Sequence, residues 1–120
     1  MIVSEYPKRT KRLLRETATA AHEQELHREL TKLDQSFAAW RSGALSSGEL
    51  SHRVHQYETG PSRELFDRYN SGQPDLSVVY AIVAGILDES QVPPELLDAL
   101  STPLDFFRSL KERGELREPG

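Results

Sequence analysis

The chain of 120 residues has no cysteine, which excludes a disulfide framework, a thiolate metal site and a cysteine nucleophile. It has no apolar run approaching the ~20 residues that a membrane-spanning helix requires. A mean hydropathy of −0.59 and 28% charged residues point the same way, and no membrane association is expected. Its seven glycines are scattered, so no Gly-rich phosphate loop exists, and no serine-nucleophile motif is present. The start, Met1-Ile2-Val3-Ser4-Glu5-Tyr6-Pro7, turns basic at once and lacks the apolar core of a signal peptide, so a cytoplasmic protein is expected. What remains is the material of one ordinary domain. Leu, Ile, Val and Phe supply 29 residues, above the roughly one-fifth share below which chains stay disordered.

The net charge of −4 hides an asymmetry. Residues 1–15 set Lys8, Arg9, Lys11, Arg12 and Arg15 against Glu5, a net +4, so the other 105 residues carry −8. A basic segment on an acidic body can contact nucleic-acid phosphate, or dock on an acidic face of a second copy.

Between Pro7 and Gly43 no glycine or proline occurs, which predicts a long N-terminal helix over about 7–42. Leu26, Leu30, Leu33, Phe37 and Trp40 follow one another at steps of four, three, four and three, placing all five on one stripe. Such a stripe is the seam of a helix hairpin or a short coiled coil. Traced backwards the same stripe becomes polar and cationic, through His22, Thr19, Arg15, Arg12 and Lys8. Either the first half leaves the core as a projecting basic arm over 1–15, the simpler reading, or it packs through a different face built from Leu13, Leu14, Thr17, Ala20 and Ala21.

Ser46-Ser47-Gly48-Glu49 is a capping box that opens a second helix, and Thr59-Gly60-Pro61 is expected to break it. Asp75 caps the most apolar stretch, Leu76 to Leu87. Its β-branched residues favour a strand, but no second strand candidate exists, so a buried central helix over about 75–88 is expected. Ala81, Ala84 and Gly85 form a small-residue patch on it. Two further helices follow Pro94 and Pro103, and 115–120 should fray. The fold class is all-α: a single domain over 1–120, with five or six helices.

Three constellations bear on chemistry. Glu49, His52, His55 and Glu58 share a metal-ligand spacing, but helical geometry turns the histidines away from the apolar face, so no metal or cofactor is expected. Tyr57, Phe66 and Tyr69 flank the Thr59-Gly60-Pro61 segment beside Arg63 and Arg68, in the manner of a partner-binding patch. Arg15 and His22 are seven residues apart, two helical turns, on one stripe. Their Arg-x6-His spacing resembles the short basic motif of HEPN ribonucleases, small all-α proteins often found in toxin–antitoxin pairs. The resemblance implies metal-independent RNA cleavage, with His22 at the 2′-hydroxyl or leaving group and Arg15 holding phosphate. The remaining carboxylates read as solvated helix faces, Glu25–Arg28 and Glu29–Lys32 among them.

With no chemically organised motif, the leading expectation is a non-enzymatic helical interaction or regulatory module. It self-associates, as a homodimer or with another protein partner, through Leu26, Leu30, Leu33, Phe37 and Trp40 of its long helix. The alternatives are nucleic-acid binding through Lys8, Arg9, Lys11, Arg12 and Arg15, and a HEPN-like ribonuclease toxin using Arg15 and His22.

Overall fold

Nothing between Pro7 and Gly43 interrupts a helix, and in the computed structural model, which describes residues 6–119, α1 runs unbroken over Lys8–Arg41. It ends in a Schellman turn. The Gly43 N–H donates to the Trp40 carbonyl at 3.1 Å and the Ala44 N–H to that of Ala39 at 2.9 Å, with Gly43 at φ +84°, where a side chain would be strained. The chain reverses, and α2 (Ser47–Tyr57) starts at Ser46, whose hydroxyl accepts from the Glu49 N–H at 3.1 Å.

The break expected at Thr59-Gly60-Pro61 is instead one π-helical turn, Glu58–Ser62, which leads without interruption into α3 (Arg63–Tyr69). Pro61 has no N–H to give the carbonyl four residues back, and the wider turn accommodates both its ring and the missing bond. Together α2, the π turn and α3 form one composite helix lying antiparallel to α1. Trp40 meets Ser47, Ser36 meets Arg53, Glu25 meets Arg68 and His22 meets Tyr69.

The apolar stretch forms α4 (Pro74–Val83), as a helix and not a strand. It stops short of the expected end because Gly85, at φ +82°, closes a second Schellman turn in which the Ile86 N–H donates to the Ala81 carbonyl at 2.8 Å. Gly85 is exposed and faces open space, so it serves the turn and not a close helix contact. A 3₁₀ turn, Glu89–Gln91, capped by Asp88, leads to α5 (Pro94–Ala99) and α6 (Ser101–Glu112). The described residues thus form six α-helices in a single all-α domain, with no strand among them.

The core lies at the N-terminal end of α1. Leu13, Leu14, Ala18 and Ala21 pack with Val78, Val79 and Ile82 of α4, Leu96 of α5, Leu100, and Leu104 of α6. Burying Leu14, Val78, Val79, Leu96 and Leu100 contributes roughly 1.5–3 kcal/mol each. Lys8 to Arg15 is therefore no projecting arm; residues 1–5 of the expected arm lie outside the described residues. Leu13 and Leu14 outweigh the cations, which occupy the opposite face: Lys8, Arg9, Arg12 and Arg15 are exposed while the helix between them is docked. The tail is also tied down where fraying was expected. Leu116 packs against the core, and the Arg117 carbonyl accepts from the Tyr80 hydroxyl at 2.7 Å; Gly120 lies outside the described residues.

The outer half of α1 and its partner α2 extend away from this body. The principal extents are 53 × 32 × 24 Å, and 34 residues of helix at 1.5 Å each account for nearly all of the long axis. The radius of gyration is 17.0 Å, against about 13–14 Å for a compact chain of this length.

Candidate functional site

The buried residues of α1 explain why the outer half presents apolar side chains to solvent. Leu14, Ala18, Ala21, Glu25 and Ser36 are buried, and their spacing places them on one stripe facing the other helices. The apolar stripe Leu26, Leu30, Leu33, Phe37 and Trp40 lies one residue further along, about 100° around the helix. The inward stripe is apolar at its start and polar at its end, whereas the neighbouring stripe does the reverse. Because α1 keeps one face inward along its length, the apolar half of the second stripe falls at the border of that face, partly covered and partly exposed.

The exposures follow. Leu30 is 47% exposed and Trp40 41%, while Leu26, Leu33 and Phe37 are half-buried. Of the seam read as a helix hairpin or a short coiled coil, three members are thus half-buried within the chain and two are exposed. Trp40 is held in place, its Nε1–H donating to Ser47 Oγ at 3.0 Å and its ring meeting Phe37 edge-on at 6.4 Å. Val54 of α2 adds a further exposed apolar side chain.

At the middle of the hairpin sits a polar cluster that sequence reasoning missed. Glu25 is only 4% exposed. It accepts from Arg68 Nη1 at 2.9 and 2.7 Å and from the Tyr69 hydroxyl at 2.7 Å. The guanidinium of Arg68 lies over the Tyr80 ring, 4.7 Å from its centre, and His22 stacks on Tyr69 at 4.9 Å. Burial and the hydrogen bond to Glu25 push the Tyr69 hydroxyl well above the usual tyrosine range. Burial disfavours the charge on Arg68, but hydrogen bonding to Glu25 and its negative charge outweigh that, and the net shift is upward. Glu25 is therefore partnered by Arg68 of α3, not by Arg28, which is exposed; the Glu29–Lys32 pair does form, at 3.1 Å. A buried Glu in line with Ala18 and Ala21 was the available signal, but nothing local pointed to a partner 43 residues away.

The basic segment is partly spent on the protein's own acids. Arg9 Nε donates to both Glu95 oxygens at 2.9 Å, a contact that holds the Glu95 carboxyl below its usual range, and Arg12 lies 3.8 Å from Glu16. Lys11 is half-buried. Arg15 and His22 do line one open groove of about 430 Å³, together with Thr19, Tyr69, Asn70, Gly72 and Pro74. An anion can sit there beside Arg15. His22 is the one imidazole among these lining side chains, so the groove offers a single proton-transferring residue of the usual kind where acid–base cleavage uses two.

The remaining candidates separate in space. Glu49, His52, His55 and Glu58 are all exposed, with Glu49 facing Arg53 at 3.4 Å. No group of three or more His, Asp or Glu among the described residues is placed to hold a metal ion. Of the aromatics around the π turn, Tyr69 and Arg68 face α1, whereas Phe66 points to solvent, so they make no common patch. Asp75 is fully buried at the first turn of α4; the Tyr6 hydroxyl lies 3.4 Å from Oδ2, and Oδ1 has no hydrogen-bond partner among the described residues. Compared with protein-family models, curated proteins and solved structures, the chain finds no match.

Proposed function

We propose that the chain is a non-enzymatic helical interaction module that self-associates through the outer half of α1. One observation carries this reading: the chain's own fold covers a helical stripe of five large apolar side chains only in part, leaving Leu30 and Trp40 exposed beside half-buried Leu26, Leu33 and Phe37. Soluble monomers rarely keep a contiguous apolar surface of this kind open to water. The side chains involved, among them a Trp and a Phe in edge contact, are those that dominate association energies. A two-fold pairing is the commonest way for one such surface to be covered by another of the same kind.

The alternatives draw less support from the geometry. Nucleic-acid binding loses Arg9 and Arg12 to internal carboxylates, and the groove at Arg15 and His22 offers the single proton-transferring group described above.

If pairing covers the stripe, folding is linked to association. The midpoint of thermal unfolding should then climb by several degrees over a hundredfold increase in protein concentration. A midpoint independent of concentration contradicts the reading.

A further inference from the structure

The charges beside the stripe differ at its two ends. On the flank of α1 that α2 leaves open, Glu23 stands just before Leu26 and Arg41 just after Trp40. Taking Leu26 as the origin, each falls about 60° around the helix on the same side. Both are exposed, and neither takes part in an ion pair with another described residue. They are 18 residues apart, about 27 Å along the helix.

Resting on the self-association reading above, we infer that two copies pair antiparallel along the outer halves of α1, each Glu23 meeting Arg41 of the partner subunit. In a parallel two-fold pair the two copies of this flank lie on opposite sides of the seam, so Glu23 and Arg41 meet no charge of the same flank across it. Turning one copy end for end brings the two flanks together and sets Glu23 against Arg41 of the partner subunit, and the two-fold axis makes this contact twice. The same register carries the apolar layers through. Leu26 of one copy lies opposite Phe37 of the partner subunit, and Leu30 opposite Leu33 of the partner subunit. The axis then passes between residues 31 and 32. Apolar side chains meeting at this 3.5-residue spacing are what knobs-into-holes packing needs. The antiparallel arrangement also places each copy's core, at the start of α1, by the tip of the partner's hairpin rather than core against core.

The chain has no cysteine, so a single spin label can be placed without removing anything. With Ser42→Cys labelled, dipolar spectroscopy on the paired protein should read a label-to-label distance of about 30 Å or more, from the helical rise on either side of the axis. A dimer with a distance under about 20 Å, as parallel helices give, overturns the antiparallel arrangement while leaving self-association standing. A labelled protein that remains monomeric, like the unlabelled parent, overturns both. Charge exchange gives an independent reading. Glu23→Arg alone should weaken association about tenfold, and adding Arg41→Glu should restore it to within about threefold. Glu23→Arg without effect contradicts the inferred pairing.

Discussion

Glu25→Ala should destabilise the fold by about 3 kcal/mol, a loss out of proportion to a single exposed ion pair. The reason is the group left behind. The Arg68 side chain is 20% exposed and stacked on Tyr80, so without Glu25 its charge sits largely away from water with no carboxylate to answer it. The Tyr69 hydroxyl loses its acceptor in the same step. Denaturation by urea would show a lower midpoint with an unchanged slope, since the surface exposed on unfolding is nearly the same. Replacing both partners, as in Glu25→Leu with Arg68→Met, should recover most of the loss, because the penalty belongs to the unpaired charge. A loss below about 1 kcal/mol for Glu25→Ala would mean that solvent reaches the cluster and screens it.

The second large effect concerns association and leaves the fold alone. Leu30→Glu with Trp40→Glu puts two charges in the middle and at the end of the partly covered stripe, and should weaken pairing by more than about a hundredfold. Neither position is in the buried core. Glu is also a good helix former, so the isolated subunit should keep its helical content. Leu33→Asp is a poorer probe, because Leu33 is half-buried against the hairpin and its replacement damages both kinds of contact.

The helices themselves were legible in the sequence because their signals are local. An uninterrupted 34-residue helix, the Ser46 cap and the glycine that ends α1 each follow from residues within one turn of where they act. The face that α1 turns inward was not legible in the same way. Two stripes one residue apart each carry about half the apolar residues, and periodicity alone cannot say which half wins. The outcome is set by α4 and α5, which bring Val78, Val79 and Leu96 against Leu14 and so fix the rotation of the entire helix from its N-terminal end. The Glu25–Arg68 contact was hidden for the same reason, since both residues have nearer opposite charges at helical spacing. Pro61 reads as a helix breaker in isolation, yet the packing of α2 and α3 along one straight partner keeps the chain helical through a π turn. The stripe from Leu26 to Trp40 was legible as a pattern, but not that the fold would cover it only in part, with Leu30 and Trp40 left exposed.

Mass by light scattering at tens of micromolar protein tests self-association most directly. Coverage of the stripe by a second copy predicts twice the 13.6 kDa of one chain for the parent protein, and 13.6 kDa for the Leu30→Glu, Trp40→Glu variant. A parent protein that stays at 13.6 kDa under the same conditions would contradict it.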